Sequence, residues 1–306
     1  MLADQLQLRS KAISNRLRII ETPIEPRHPR RFEKNRNMPW CLAIGLPIAS
    51  HEGVQLECRV AIAGWSIRKE HAALFATEGS HLQRYASRFA AVEINSSFYR
   101  PHKRETYERW ARDVPDDFRF SVKLPRWLTH EQCLEDSGAP LTQFLSEIKG
   151  LGTKLGCVLV QLPPGLAYDP RTVESFFGAL RARHRGAVVC EPRHRTWFTG
   201  AADRRLDAHG VGRVAADPSC GDGGDQPSGS DRVAYFRLHG SPVMYQSSYS
   251  GEYLSLLSEQ VSGLGQRAPV WCVFDNTSRG AATVNGLELR RLLGASSHAG
   301  VRPHLK

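Results

Sequence analysis

The chain has 306 residues, of which 41% are hydrophobic and 24% are charged, and its formal net charge of +10 favours anionic partners. These proportions are ordinary for a globular protein with a sizeable core, and no apolar run approaches the roughly 20 residues of a membrane span, so none is expected. The seven cysteines form no C-x-x-C pair, which argues against a zinc knuckle or a disulfide framework and fits a reducing, cytoplasmic compartment.

Residues 1–57 differ from the rest of the chain, because prolines interrupt a basic and irregular segment in which only Leu6–Ile20 could form a short amphipathic helix. We expect a weakly ordered basic extension, and a basic arm that binds anions is the alternative. The stretch Arg27–Ala49 loosely imitates a signal peptide, but it begins far from Met1 and is interrupted by Pro47, so secretion is not expected.

From Arg59 onward, short apolar runs alternate with amphipathic segments of helical length, which is typical of βα units. The predicted strands are Arg59–Trp65, Ala90–Asn95, Phe118–Leu124, Cys157–Leu162, Ala187–Glu191, Arg213–Asp217, Val233–His239 and Val270–Asn276. The predicted helices are His81–Phe89, Arg104–Val114, Leu141–Leu155, Pro170–His184, Ala201–His209, Gly251–Leu264 and Ala281–Leu293.

Eight strands alternating with helices predict an α/β fold consisting of a single (β/α)8 TIM barrel over residues 58–294, followed by a tail at 295–306. The segment between Asp217 and Val233 is rich in Gly, Ser and Pro, so the regular helix after strand six should be missing. No strand is followed by G-x-G-x-x-G, so a dinucleotide-binding sheet lacks its phosphate loop.

Barrel enzymes place their sites where the strands end, so the residues at those positions are the candidates. The predicted catalytic residues are Glu93, Glu191, His239 and Asp217. The predicted substrate-binding residues are Trp65, Asn95, Tyr99, Lys123, Gln161, Arg193, His194, Trp197, Arg237 and Asn276. Strand periodicity sends Glu93 with Asn95, and Arg237 with His239, to one face, and charges buried there must pair. The competing interpretation is a salt-bridge network that only closes the top of the fold.

A protein-ligated metal is not predicted, because Lys123, Arg193 and Arg237 crowd the same region with positive charge and favour an anion. A divalent ion stays an open alternative, because the strand ends also carry carboxylates and imidazoles. No other cofactor is predicted, since H-E-x-x-H, G-x-S-x-G and Walker-type motifs are absent from the sequence.

The strand-end motifs resemble the YecE-like family, which is catalogued as a domain of unknown function with a TIM-barrel fold. The resemblance rests on Gly64-Trp65, Val92–Arg100, Phe120–Lys123, Leu128–His130, Gln161–Pro164, Glu191 with Arg193-His194 and Trp197, Tyr235–Gly240, Asp275-Asn276, Gly280-Ala281 and Asn285. It runs from about Val60 to Leu293, and it implies the fold and the site location without a substrate or reaction. Three positions depart from the family pattern: Ala63, Pro192 and Asp275. Pro192 matters most, because proline removes a backbone donor beside Glu191.

Three functions compete on the sequence. The first is an enzyme, an isomerase, lyase or hydrolase, in which Arg193, Arg237 and Lys123 hold a small anionic or polyol-like substrate while a carboxylate and His239 transfer protons. The second is a barrel that binds such a ligand without converting it. The third is a nucleic-acid-associated protein, which rests only on the basic charge and the basic N-terminal tail. A solvated basic surface is favoured over it, because Arg and Lys form no long block.

Overall fold

The computed structural model describes the backbone of residues 58–299 and the side chains of residues 58–295. The predicted basic extension at 1–57, with its helix Leu6–Ile20, lies outside the described residues, as do residues 300–306 of the predicted tail.

Within residues 58–299, ten strands form two sheets, and the pairing is parallel except between β6 and β8. The strands are β1 Cys58–Ile62, β2 Ala91–Ile94, β3 Arg119–Lys123, β4 Leu155–Gln161, β5 Ala187–Glu191, β6 Val211–Arg213, β7 Ala215–Asp217, β8 Ser228–Gly229, β9 Ala234–Leu238 and β10 Val270–Phe274. One sheet has the order β1-β10-β9-β7 and the other β2-β3-β4-β5-β6-β8. The α/β class with parallel sheets is therefore confirmed.

Helices follow most of the strands, as the alternation predicts. The α-helices are α1 His81–Ala86, α2 Ser96–Tyr99, α3 Arg104–Arg112, α4 Gly138–Ile148, α5 Pro170–Arg183, α6 Gly200–Ala208, α7 Gly251–Gly265 and α8 Ala281–Ala299. Helix α5 begins as predicted, because Asp169 accepts a hydrogen bond from the Thr172 amide at 2.8 Å and proline occupies the first helical position. Between Asp217 and Val233 the structure has no helix, only the short strand β8.

The predicted single closed barrel is not found, since the strands hydrogen-bond as two sheets. The predicted strand Arg213–Asp217 is divided in two: β6 pairs with β5, whereas β7 pairs with β9. Only Val214 separates the two strands, and its amide donates to the Cys190 carbonyl at 2.8 Å. At the other junction between the sheets, Ala63 forms an isolated parallel bridge with Glu93.

The sheets bury apolar side chains on both faces, as parallel sheets do. The face that packs against the helices carries the larger cluster, which includes Phe120, Phe176 and Phe274. The opposite face carries a smaller cluster, whose members include Ala91, Leu159, Val189, Tyr235 and Val273. Because side chains alternate along a strand, the next residues on that second face are polar ones at the strand ends. Within residues 58–299, no helix combines the length and hydropathy needed to cross a lipid bilayer.

Candidate functional site

Polar side chains converge where β2, β3, β4, β5, β9 and β10 end, on the face of the smaller apolar cluster. We call this group the strand-end cluster. Its members are Glu93, Lys123, Gln161, Glu191, Arg193, Arg237, His239 and Asp275. Each strand residue of the cluster stands two positions after a residue whose side chain faces away from the helices. The period-2 alternation therefore places the members of the cluster on that same face.

Arg237 is the centre of the cluster and is fully buried. Its Nη2 lies 2.7 Å from Glu93 Oε1 and its Nε 3.0 Å from Glu93 Oε2. Its Nη1 donates to Glu191 Oε2 at 2.7 Å, and Nη2 also donates to Asp275 Oδ2 at 3.0 Å. With a longer contact of 3.5 Å from Nη1 to Gln161 Oε1, all five N–H groups of the guanidinium are engaged by the protein.

His239 links two carboxylates of the cluster. Its Nδ1 lies 3.0 Å from Asp275 Oδ2, and its Nε2 lies 2.8 Å from Glu191 Oε1 and 2.6 Å from Arg193 Nη2. Arg193 Nη2 in turn lies 2.8 Å from Glu191 Oε1. A proton on Nε2 satisfies Glu191, whereas a bare Nε2 accepts from Arg193, so the protonation state of the ring decides which contact is a hydrogen bond.

The carboxylates of the cluster differ in how fully they are engaged. Burial raises the pKa of Glu191, but the charges of Arg193 and Arg237 outweigh burial and hold it well below its usual value. Burial also raises the pKa of Asp275, and Arg237 and His239 reverse that shift and lower it. The Asp275 side chain is 13% exposed, whereas those of Glu93 and Glu191 are fully buried. Within the described residues nothing hydrogen-bonds to Asp275 Oδ1, so this oxygen is free to meet a ligand.

Below the cluster, the hydroxyl of Tyr235 supports Glu93. It donates to Glu93 Oε2 at 2.8 Å and is hydrogen-bonded to Ser121 Oγ at 2.8 Å. Burial and the charge of Glu93 raise the pKa of Tyr235 well above its ordinary value, so the phenol stays protonated and remains a donor. Its ring stacks on Trp271 with centroids 5.9 Å apart, which fixes the position of the hydroxyl.

Lys123 differs from the two arginines. Its Nζ lies 4.0 Å from the ring centroid of Phe98, and no side chain of the described residues forms a salt bridge or hydrogen bond with it. Burial and the charge of Arg237 lower its pKa to about 8, against the opposing effect of the three carboxylates. His130 packs edge-on against the same Phe98 ring at 5.0 Å. Burial and the charge of Lys123 lower the pKa of His130 to about 4.

Five buried side-chain atoms have no hydrogen-bond partner within the described residues; three belong to residues that follow a strand, and a fourth belongs to the last residue of β7. They are Asn95 Oδ1, Arg193 Nε, Asp217 Oδ2, Asn276 Oδ1 and, elsewhere, His184 Nε2. Unsatisfied buried polar atoms are rare and mark places where a water or ligand binds. Asn95 directly follows β2, at the same end of that strand as Glu93.

The structure does not bring Asp217 into the cluster. Asp217 is in register with Leu238, which belongs to the apolar cluster on the helix-facing side, whereas its neighbour Ala216 is in register with Arg237. The carboxyl of Asp217 therefore lies beside Tyr249 rather than beside the inward-facing carboxylates. Burial raises its pKa.

Three other predicted substrate-binding residues form hydrogen bonds within the protein, and their predicted role stays a prediction. Trp197 is buried and donates from Nε1 to the Leu166 carbonyl at 2.9 Å. The amide of Asn276 donates to Ser247 O and Asn285 Oδ1, both at 2.9 Å, and so connects two loops. His194 lies 2.8 Å from Thr196 Oγ1.

Two predicted aromatics lie at the edge of the site. Trp65 is half-buried and packs edge-on against Trp110 with ring centroids 5.0 Å apart. Tyr99 is 77% exposed and contacts Phe98. The predicted role of both rings in substrate binding stays a prediction.

Two members of the network, Asp275 and Tyr235, were not among the residues predicted from the sequence. The signal was present, because Tyr235 stands two positions before Arg237 and Asp275 two after Val273 on the same face. From the sequence alone, Tyr235 is an ordinary aromatic residue of a β-strand. Its hydroxyl has a role only because Glu93 is its buried hydrogen-bond partner.

Within residues 58–299, no group of three His, Cys, Asp or Glu side chains has an arrangement that could hold a metal ion. The carboxylates of the cluster converge on the guanidinium of Arg237 instead. A separate surface groove of about 510 Å³, with Glu108, Arg112, Asp116 and Lys154 in its lining, lies before β3 and β4 begin. It is therefore at the opposite ends of the strands from the cluster.

Comparison with known proteins places the chain in a family. The family described as "Protein of unknown function DUF72" matches residues 59–305. The chain belongs to the DUF72 family. The resemblance to YecE-like proteins inferred from the motifs is thereby confirmed.

Named relatives and solved structures agree with this assignment. The chain is 31% identical to "UPF0759 protein YecE" of Escherichia coli K12 over 144 residues, 44% of this chain and only 52%, about half, of YecE. It is 24% identical to "UPF0759 protein YunF" of Bacillus subtilis, over 80% of this chain and 97% of YunF. A DUF72 structure from Thermotoga maritima matches with a TM-score of 0.65 and 25% identity, over 78% of this chain and 99% of that one. A DUF72 structure from Enterococcus faecalis matches with a TM-score of 0.64 and 21% identity, over 78% of this chain and 96% of that one.

Proposed function

We propose that this DUF72 protein is an enzyme that converts a small anionic or polyol-like molecule by acid–base chemistry above the strand-end cluster. Isomerisation, elimination and hydrolysis are the reaction classes that such groups serve. The observation that carries the proposal is the set of buried polar atoms left without partners at the strand ends, of which Arg193 Nε belongs to the cluster and Asn95 Oδ1 directly follows β2.

The residues of the cluster have two roles in this proposal: some position their neighbours, and others contact the substrate. Arg237, Glu93 and Glu191 are engaged with one another, so we assign them to positioning rather than to the direct substrate contact predicted from the sequence. Asp275 keeps one free oxygen and partial exposure, which makes it the proton-transferring carboxylate. His239 orients it through the 3.0 Å contact at Nδ1.

The anionic character of the substrate is supported by the loops around the cluster. Exposed arginines follow β1, β2, β3, β5 and β10; they are Arg68, Arg100, Arg126, Arg195 and Arg279. Two of them pair with acids of their own loops, Arg68 with Glu70 and Arg126 with Glu131. The other three arginines add positive potential around the strand-end cluster, which attracts an anion.

We further propose that the two sheets are parts of one (β/α)8 barrel. Support comes from both junctions: the Gly64 amide donates to the Glu93 carbonyl at 2.9 Å, and a single residue, Val214, separates β6 from β7. A barrel also explains why inward-facing residues of both sheets, such as Glu93 and Arg237, meet at the centre.

Thermal unfolding in the presence of sugar phosphates and the matching free sugars tests this function. A ligand at about 100 times its Kd stabilises the folded state by about 2.7 kcal/mol, which raises the melting temperature by several degrees. Asn95→Asp, which places a negative charge at the end of β2, should abolish stabilisation by the phosphates. His184→Gln is the matched control, because His184 also has an unpartnered buried atom but precedes β5.

Product formation is then followed by NMR with the stabilising compound. Turnover that Asp275→Asn removes supports an enzyme. Binding without any product supports a binding protein that does not convert its ligand. If no compound stabilises the wild type, or if Asn95→Asp and His184→Gln respond alike, the proposed site is wrong.

A further inference from the structure

Lys123 is the cation of the cluster that the protein does not pair directly. Arg237 forms ion pairs with Glu93, Glu191 and Asp275, and Arg193 pairs with Glu191. Lys123 is the last residue of β3 and is only 7% exposed, yet its amine has no salt bridge or hydrogen bond within residues 58–299. A buried amine without such a partner loses the interactions that would hold it as a fixed ammonium ion.

The surroundings of Lys123 suit an amine that reacts. Phe98 covers one side of Nζ, and His130 packs on the same aromatic ring. Burial and the charge of Lys123 lower the pKa of His130, so its imidazole is neutral at pH 7 and can accept a proton. Asp275, with its free oxygen, is electrostatically coupled to Lys123.

We propose that Lys123 is a nucleophile that forms an imine with its substrate, which would make the substrate an aldehyde or ketone that carries an anionic group. The inference rests on the proposed function, because it assigns the carbonyl compound to the same strand-end cluster. The lowered pKa of Lys123, about 8, supports it. At pH 7 roughly 10% of such an amine is unprotonated, against less than roughly 0.1% of an ordinary lysine.

The step balances without an external oxidant or reductant. The lone pair of Nζ forms a bond to the carbonyl carbon while the C=O π electrons move to oxygen, which gives a carbinolamine after proton transfer. The carbinolamine then loses its hydroxyl group as water, which leaves the C=N bond. Overall, the oxygen of this water comes from the carbonyl group and its two hydrogens come from the amine. We assign these proton transfers to His130, which packs on the same Phe98 ring as Nζ, and to Asp275.

Reductive trapping tests the inference on the full-length chain. The protein is incubated at pH 7 with dihydroxyacetone phosphate, glyceraldehyde 3-phosphate or pyruvate in the presence of sodium cyanoborohydride and is then digested with trypsin. A secondary amine at Lys123 blocks cleavage there, so the peptide 120–126 appears in place of 120–123. The exposed lysines Lys103 and Lys149 of the same sample are internal controls for unspecific modification.

We expect at least one of the three compounds to modify Lys123 at least tenfold more than the exposed Lys103 or Lys149. Lys123→Arg, which keeps the charge, should lose that adduct. Equal modification of the three lysines would overturn the inference, whether or not the variant folds. Glycerol 3-phosphate, which has no carbonyl group, separates the two proposals. If it stabilises the protein and none of the three carbonyl compounds gives a Lys123 adduct, the proposed function stands and the imine is rejected.

Discussion

Arg237 and Glu93 form a two-point ion pair, with N···O distances of 2.7 and 3.0 Å, in which both side chains are fully buried. Arg291 and Glu288 form a pair of the same geometry on helix α8, at 2.7 and 2.9 Å, but these side chains are 64% and 36% exposed. The two contacts share their geometry but differ in burial and in the number of carboxylates that each arginine binds.

Arg237→Lys should destabilise the protein strongly. A lysine supplies one ammonium where the guanidinium supplies five directed N–H groups, so at least one of three carboxylates is left unpaired, at a cost of about 3–5 kcal/mol. Urea unfolding monitored by fluorescence measures this loss. Arg291→Lys is the control and should leave the unfolding midpoint unchanged, because exposed ion pairs contribute little. Equal effects of the two substitutions would contradict the structural role of Arg237.

Tyr235→Phe tests the support beneath Glu93. Removing the hydroxyl takes one donor from a buried carboxylate, and we expect a loss of about 1–3 kcal/mol in the free energy of unfolding while ring packing on Trp271 is retained. Tyr253 is a suitable comparison, since no hydrogen bond of its hydroxyl is found within the described residues. Tyr253→Phe should therefore cost less, and a similar loss for both would mean that the Glu93 contact is not what stabilises Tyr235.

Lys123→Met should stabilise the protein in a way that depends on pH. Burial, together with Arg237, lowers the pKa of Lys123 from 10.5 to about 8. Below pH 8 the amine is charged in both the folded and unfolded states, so the full penalty of burying the charge is present in the wild type. Above 10.5 it is neutral in both states and the penalty is gone. The advantage of the variant should shrink by about 3 kcal/mol between these pH values. An advantage that stays constant with pH contradicts the buried charge.

Asp217→Asn should also raise the melting temperature at pH 7. Burial raises the pKa of Asp217, so the carboxyl favours folding while it is protonated, and this contribution is lost as pH rises through its folded-state pKa. At pH 7 the neutral amide of the variant avoids the free-energy cost of burying a charged carboxylate. Asp222→Asn, an exposed acid of the following loop, provides the baseline. A lower melting temperature for Asp217→Asn would show that the carboxylate has a partner that stabilises it.

Sequence periodicity was enough to predict seven of the strands, the region that β6 and β7 divide, and most of the strand-end cluster. The same two-residue period explains why Asp217 lies outside the cluster: Arg213, Ala215 and Asp217 share a face, and Arg213 pairs with Asp203 of α6 at 2.7 Å. That face is directed at the helices. The alternation was visible in the sequence, but which of two faces points inward depends on register with β9, a long-range contact that no local pattern encodes.

Side-chain availability was harder to predict than position. Trp197 and Asn276 stand at strand ends in sequence, yet their donors bind Leu166, Ser247 and Asn285. Arg237 is placed as expected, but three carboxylates from different strands consume its donors. A strand-end motif gives the location of a polar group, whereas its remaining hydrogen-bonding capacity depends on partners distant in sequence.

A crystal structure of the protein with the compound that raises its melting temperature most is the most direct measurement of whether the strand-end cluster is a ligand site. We predict ligand density within hydrogen-bond distance of Asn95, Arg193 and Asp275, with Lys123 beside it. Density confined to the groove next to Lys154, or to any other surface away from the strand ends, would contradict the account.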